Sequence, residues 1–169
     1  AGFGTQTAAL CVGGFGASTA VTELWNGTNW TEVNDLTQGR YKAAGIGTTT
    51  AGLLAGGDGP TGKTELWNGT NWTEVNDLGT ARYGAGGAGT STAALAFGGA
   101  APPNPPPATA VTESWNGTNW TEVNDLNSVR QQLPGVGTNT LALGIGGSPQ
   151  QATVEAWNFS GGIQTIGDS

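Results

Sequence analysis

Glutamates at repeated positions are the residues of this sequence best suited to acid–base chemistry. They form two sets, one of Glu23, Glu65, Glu113 and Glu155 and one of Glu32, Glu74 and Glu122. Two carboxyl groups held close together can act as the acid and the base in glycoside hydrolysis. Catalysis usually requires residues that break a repeat, whereas these acids follow it. Glycan processing by a symmetry-breaking pair such as Asp58 and Glu65 is therefore an alternative to a favoured non-enzymatic role.

Arginines recur at the same spacing as the acids. Arg40, Arg82 and Arg130 each lie four residues after the leucine that ends a repeated segment. We expect one acidic set to form ion pairs with these arginines at junctions between repeats. Such pairs matter if they are shielded from water, and contribute little if they are exposed.

Other catalytic and metal-binding groups are scarce. The chain has no histidine, which removes the imidazole base, the Ser-His pair and the histidine-ligated metal site. Asp35, Asp77 and Asp125 recur, but they do not form a dense calcium-binding loop. The single cysteine, Cys11, lies in an apolar run and is expected to be buried. The sequence therefore predicts no catalytic residue, no cofactor and no metal site.

The tryptophans could instead serve recognition, since an aromatic face stacks well on a sugar. They are Trp25, Trp30, Trp67, Trp72, Trp115, Trp120 and Trp157. Each recurs at a fixed place in the repeat whatever the connections do, which favours packing between repeats over ligand binding. We interpret the tryptophans and the three arginines as structural residues.

Composition restricts the classes of partner. Twelve acidic residues against five basic ones give a net charge of -7, which disfavours a nucleic acid as partner. No apolar run is long enough to cross a bilayer as a helix, so no membrane insertion is expected. The 31 glycines and the scarcity of strong helix formers predict an all-β chain with almost no helix.

A repeat in the sequence predicts the β-strands that position these residues. Trp25, Trp67, Trp115 and Trp157 are separated by 42, 48 and 42 residues, which fits one four-stranded blade per repeat. Each repeat has two short apolar strands ending in Gly-Gly, followed by two strands around a W-N-G-T-N-W or related turn, where Asn-Gly is a strong hairpin signal. The sequence thus predicts one domain, 1–169, with blades at 1–36, 37–78, 79–126 and 127–169.

This order of motifs resembles the kelch repeat of β-propellers over the whole chain. The most diagnostic match is the Gly-Gly pair in each repeat, at Gly13-Gly14, Gly56-Gly57, Gly98-Gly99 and Gly146-Gly147. The resemblance implies a propeller of four blades, each of four antiparallel strands. Both ends of the sequence fall at one blade boundary, so the ring closes without an exchanged strand, or two chains share a larger ring. The copper ligands of kelch oxidases are missing here, so that activity is not implied.

The amino-acid sequence of the repeats also resembles repeat segments of marine phage structural or tail-appendage proteins. That resemblance implies a virion or extracellular location and a host-surface glycan or protein as partner. Recently duplicated repeats without a selected ligand are a further alternative, because the copies are nearly identical.

The connections between the second and third strands vary most and are the predicted binding face. Loops that vary on a fixed scaffold often carry recognition, although they also tolerate insertions. The candidate binding residues in these connections are Asp58, Lys63, Pro102, Pro103, Asn104, Pro105, Pro106, Gln150 and Gln151.

Overall fold

The computed structural model describes residues 1–16, 19–102, 107–149 and 152–158, and the backbone of 162–166. Within these residues the chain is all-β and contains no helix. Sixteen strands form four sheets, each with four antiparallel strands in chain order. The predicted all-β class and the predicted four strands per repeat are confirmed. No helix among the described residues has the length and apolar character required to span a membrane.

The sheets are numbered 1 to 4 along the chain. Sheet 1 contains β1 (Gly2–Gly4), β2 (Ala9–Gly14), β3 (Thr19–Trp25) and β4 (Trp30–Val33). Sheet 2 contains β5 (Ala44–Thr48), β6 (Ala51–Ala55), β7 (Thr64–Trp67) and β8 (Trp72–Val75). Sheet 3 contains β9 (Gly86–Gly89), β10 (Ala94–Phe97), β11 (Thr112–Trp115) and β12 (Trp120–Glu122). Sheet 4 contains β13 (Gly135–Gly137), β14 (Leu141–Ile145), β15 (Val154–Asn158) and β16 (Gly162–Ile166).

The Asn-Gly turn between the third and fourth strands forms as the sequence predicts. In sheet 1, Trp25 pairs with Trp30 across the hairpin. The side-chain oxygen of Asn26 accepts the backbone N–H groups of Thr28 and Asn29 at 2.9 and 3.0 Å, and Gly27 has a φ of 93°. Only glycine adopts that backbone conformation without steric cost, so the dipeptide fixes both the turn and the register of the strands beside it.

The sheets stack in chain order through their first strands, with β1 against β5, β5 against β9 and β9 against β13. Because side chains alternate along a strand, each sheet has two faces. We call the face toward the preceding sheet the N-side face and the face toward the next sheet the C-side face. Val12 on the C-side face of sheet 1 shares a core cluster with Leu54 on the N-side face of sheet 2.

Buried ion pairs cross every junction between consecutive sheets, as the repeat spacing predicts. Each arginine lies in the linker between two sheets and its Nη2 binds a glutamate Oε1 on the N-side face of the following sheet. The pairs are Arg40 with Glu65 at 2.8 Å, Arg82 with Glu113 at 3.0 Å and Arg130 with Glu155 at 2.5 Å. All six side chains are at most 3% exposed. Burial lowers the pKa of Arg82 and the nearby Glu113 raises it, so the first effect is partly offset.

Tryptophans add a second link across two junctions. The indole N–H of Trp72 donates to the Thr22 hydroxyl of sheet 1 at 3.0 Å, and Trp120 donates to Thr64 of sheet 2 at 3.1 Å. Trp72 is 6% exposed, whereas the equivalent Trp30 of sheet 1 is 49% exposed. The structural interpretation of the repeated tryptophans therefore applies at the internal junctions, and Trp30 departs from it.

The four sheets have a propeller-like arrangement that is not closed into a ring. The first strands of all four line a cavity of about 340 Å³ at residues 2–4, 45–47, 87–89 and 135–137, and no ionisable side chain lines it. Cys11 is exposed, so the prediction that it is buried is wrong. It lies on the N-side face of sheet 1, where no preceding sheet covers it. Its counterpart in sheet 2, Leu54, is 1% exposed.

Candidate functional site

One end of the sheets carries both the linkers between sheets and the variable connections. In an antiparallel sheet of four strands, the connection between the second and third strands lies at the same end as the linker to the next sheet. We call this end the connection face. The backbone joins the two kinds of segment: Asp58 N–H donates to the Tyr41 carbonyl at 2.8 Å, and Tyr83 and Ala100 exchange two hydrogen bonds at 3.1 and 2.8 Å. Gln131 and Ser148 pair in the same way.

Backbone hydrogen bonds also run from one linker to the next across this face. The N–H of Gly84 donates to the Lys42 carbonyl at 2.7 Å, and the N–H of Gln132 donates to the Gly84 carbonyl at 2.6 Å. All three residues have a positive φ, at 56° for Lys42, 65° for Gly84 and 55° for Gln132. A left-handed conformation at Lys42 and Gln132 is uncommon for residues with a side chain. The linkers are thus held as a continuous backbone support from which side chains project.

A group of aromatic and charged side chains lies on this support, with Phe15 and Lys42 exposed and the other three members half-buried. We call Phe15, Tyr41, Lys42, Asp58 and Tyr83 the aromatic–lysine cluster. Phe15 and Tyr41 pack edge to face, with ring centroids 5.2 Å apart and an interplanar angle of 82°. The Lys42 Nζ lies 4.9 Å from the Tyr83 ring centroid and 5.7 Å from that of Tyr41. These distances are in the range of cation–π attraction.

Two members of the cluster are coupled electrostatically. Interaction of the Tyr41 hydroxyl with the Asp58 carboxylate raises the pKa of Tyr41, because a hydrogen bond to that carboxylate favours the neutral phenol. The negative charge of Asp58 acts in the same direction. The cluster therefore presents a phenol, a carboxylate and an ammonium group beside the exposed Phe15 ring.

The cluster breaks the repeat at every position it uses. Phe15 stands directly after a Gly-Gly pair, where the later repeats have Asp58, Ala100 and Ser148. The position after the linker arginine holds Tyr41, Tyr83 and then Gln131. Phe15 is 86% exposed, the largest value among the exposed apolar side chains of the described residues. Exposed apolar side chains that group together can mark a recognition surface, and Phe15 packs against Tyr41.

The structure separates the predicted binding residues. Asp58 belongs to the cluster, whereas the Lys63 Nζ is 2.8 Å from the Glu74 carboxylate in a partly exposed ion pair on sheet 2. Pro102 is exposed in the third variable connection. Pro103, Asn104, Pro105, Pro106, Gln150 and Gln151 lie outside the described residues.

The base of the proline-rich connection is anchored beside the cluster. Ala101 N–H donates to the Pro107 carbonyl at 3.2 Å, and Thr109 N–H donates to the Gly99 carbonyl at 2.8 Å. Ala100 is fully buried and bridges both Tyr83 and Ala108. This connection thus begins and ends next to Tyr83.

The acids considered for catalysis have other contacts. Glu65 is 1% exposed, binds Arg40, and accepts the Thr37 N–H at 2.9 Å. Asp58 binds Tyr41 on the connection face, so these two acids have different partners. The recurrent aspartates support the backbone: Asp77 accepts the Thr64 N–H at 3.2 Å, and Asp35 and Asp125 do the same in their sheets. In the described part of the chain, no three acidic or cysteine side chains are grouped to hold a metal ion.

Sequence reasoning missed four of the five cluster residues: Phe15, Tyr41, Lys42 and Tyr83. Phe15 stands in a variable connection, and the others stand in linkers that also vary between repeats. Aligning the linkers as Arg40-Tyr41-Lys42, Arg82-Tyr83-Gly84 and Arg130-Gln131-Gln132 would have found the variation. No protein-family model matches the chain. No curated protein sequence matches it.

Proposed function

We propose that the chain is a non-enzymatic binding module on a kelch-like β-propeller scaffold, with the connection face as its binding surface. The observation that carries this proposal is the aromatic–lysine cluster, which exposes Phe15 and Lys42, breaks the repeat and lies at the hydrogen-bonded linkers. The four stacked sheets are then consecutive blades. The favoured setting is an extracellular or virion appendage, in line with the phage resemblance of the repeats.

The chemistry of the cluster fits a glycan on a host surface better than a protein. The exposed Phe15 ring and the half-buried Tyr83 ring can stack on the apolar face of a sugar, while Lys42 and Asp58 can bond its hydroxyl groups. The aromatic pair is small, whereas stable protein partners bury about 800 Å² on each side. Weak individual affinity, made useful by several copies on one particle, is the expected mode of binding.

The test is a glycan array together with binding to host cells, using the chain displayed in several copies. Wild type should bind a restricted set of glycans, and Phe15→Ala and Tyr83→Ala should lose that binding without a change in unfolding midpoint. Thr73→Ala, an exposed position on β8 away from the connection face, is the matched control and should bind as wild type does.

A second variant examines the proline-rich connection. Replacing residues 102–107 with a short Gly-Ser link keeps the anchored Ala100. If the connection contributes contacts, this variant should bind fewer of the glycans that wild type binds. Absence of binding by wild type to every glycan and cell would favour a repeat scaffold without a selected ligand. Hydrolysis of a polysaccharide by wild type, lost in Asp58→Asn, would contradict the non-enzymatic proposal.

A further inference from the structure

The two outermost faces of the stack are exposed and carry apolar side chains. On the C-side face of sheet 4, Val136 is 48% exposed, Leu141 is 67% exposed and Ile145 is 38% exposed. On the N-side face of sheet 1, Cys11 is exposed and Trp30 is 49% exposed. Apolar side chains grouped on a sheet face usually mark a surface that another chain or element covers.

The internal junctions show what each of these faces fits. The strand register makes Ile145 of sheet 4 equivalent to Val12, Ala55 and Phe97. Each of these residues pairs with the residue that directly precedes the glutamate in the third strand of its sheet. In the same way Cys11 is equivalent to Leu54, Ala96 and Gly144, because each pairs with the glutamate of that strand.

These equivalent positions meet at all three internal junctions. Val12 and Leu54 belong to one core cluster, and Ala55 and Ala96 belong to another. A Cβ on Gly144 would lie 3.2 Å from the Phe97 ring. The position of Ile145 therefore packs on the position of Cys11 wherever two sheets meet, and sheets 1 and 4 each expose one half of this junction.

We propose that a second copy of this chain docks head to tail, with the C-side face of sheet 4 of one copy on the N-side face of sheet 1 of the other. The same contact made twice closes a ring of eight sheets from two chains. This inference rests on the stacked-blade scaffold of the proposed function, and it does not depend on ligand binding at the connection face. Heterologous faces of this kind close into a ring when the rotation fits.

The second copy is favoured over closure within one chain because each chain leaves both faces exposed while its other three junctions are packed. Two residues distinguish the new junction from the internal ones. Val154 stands where Thr22, Thr64 and Thr112 stand in the other sheets, so Trp30 of the second copy finds no hydroxyl acceptor there. Glu23 stands beside Glu32 on the N-side face of sheet 1, and no ion pair holds it among the described residues. The association is therefore weaker than an internal junction, and apolar contact drives it.

The first experiment measures solution mass by sedimentation over a range of concentrations. Wild type should form a dimer, and Ile145→Asp should weaken dimerisation at least about 100-fold, since an unpaired carboxylate would be buried in the contact. Val129→Asp is the matched control, because Val129 is 51% exposed but lies in a linker rather than on the sheet face. Val154→Thr should tighten the dimer, because it restores the acceptor for Trp30. A monomer at all concentrations, or a filament that lengthens with concentration, would overturn the proposal.

The second experiment identifies the faces by disulfide trapping. Mixing wild type, whose only cysteine is Cys11, with Cys11→Ser/Ile145→Cys under mild oxidant should give a cross-linked heterodimer. A Cys11 to Cys11 dimer of wild type alone would instead show that two N-side faces meet. An internal disulfide in monomeric Ile145→Cys would show closure within one chain, and either result refutes head-to-tail docking.

These experiments can refute either proposal without refuting the other. Ile145→Asp leaves the aromatic–lysine cluster unchanged, so immobilised monomer should still bind glycan. Phe15→Ala should lose glycan binding and still sediment as a dimer. A dimer without glycan binding therefore contradicts only the proposed function, and glycan binding by a strict monomer contradicts only the docking.

Discussion

Replacing Arg82, whose guanidinium forms a buried ion pair with Glu113, with glutamine should destabilise the protein strongly. Its side chain is fully buried, and its guanidinium donates to Glu113 at 3.0 Å and to the carbonyls of Val111 and Ala96 at 2.6 and 3.3 Å. Glutamine is too short to reach all three acceptors. The Glu113 carboxylate would then stay buried with only two backbone donors, the N–H groups of Gly79 and Thr80.

The expected cost follows from the uncompensated charge. Removing one partner of a buried ion pair costs about 3–5 kcal/mol. Each kcal/mol shifts the unfolding midpoint of a domain of this size by about 2–4 °C, which gives a fall of about 6–20 °C. Thermal and urea unfolding followed by tryptophan fluorescence measure the change.

Two further variants separate this explanation from a general loss of packing. Arg82→Met/Glu113→Leu removes both charges and should be more stable than Arg82→Gln, because no charge is left buried. Lys63→Met breaks the exposed pair with Glu74 and should leave the midpoint unchanged. An unchanged midpoint for Arg82→Gln would refute the account of the junction, and equal losses in the single and double variants would show that packing alone matters.

Four further predictions test other parts of the structure. Trp72→Phe removes the hydrogen bond to Thr22 and should lower the free energy of unfolding, measured in urea, by about 1–3 kcal/mol. Trp30→Phe should lower it by less than about 0.5 kcal/mol, because Trp30 is half exposed. Gly56→Ala should lower the free energy of unfolding by more than about 2 kcal/mol, because the φ of Gly56 is 71° and the new Cβ would lie 2.5 Å from the Arg82 carbonyl oxygen. Gly59→Ala should lower it by only about 1 kcal/mol, because the new Cβ meets no atom and only the backbone is strained. Asp58→Asn in a Tyr83→Phe background should lower the pKa of Tyr41 toward its ordinary value of about 10, as phenolate absorbance would show. Since the folded pKa is raised, the Tyr41 to Asp58 bond should stabilise the protein below about pH 10 and lose that effect as the pH rises through the folded pKa, so unfolding of wild type and Asp58→Asn should converge there.

The structural features that recur in each repeat could be predicted from the sequence. The Asn26-Gly27 turn, the four strands of each sheet and the arginine–glutamate junctions all follow from local patterns that recur at a fixed spacing. Cys11 shows where this reasoning fails. Its apolar run follows the same pattern as those of the later sheets, but burial depends on a neighbouring sheet that the local pattern does not describe.

The contacts within the aromatic–lysine cluster could not be predicted from the sequence, for a related reason. Phe15 comes from sheet 1, Tyr41 and Lys42 from the next linker, and Tyr83 from the linker after that. They meet because the backbone of consecutive linkers is hydrogen-bonded, with Gly84 bound to Lys42 and Gln132 bound to Gly84. A contact between single residues of different repeats leaves no periodic signal, so only the stacked structure shows it.

The arginine–glutamate junction also determines how the chain can unfold. Each ion pair takes its cation from the linker before a sheet and its anion from the sheet itself, and the indole of Trp72 or Trp120 reaches back to the sheet before. The stabilising terms therefore belong to neighbouring pairs of repeats rather than to single repeats, as in a one-dimensional array with strong nearest-neighbour coupling. In the monomer, amide exchange should accordingly be slowest in sheets 2 and 3, which have a neighbour on both sides. Opening of the monomer should begin at sheets 1 and 4 and proceed inward, one whole repeat at a time.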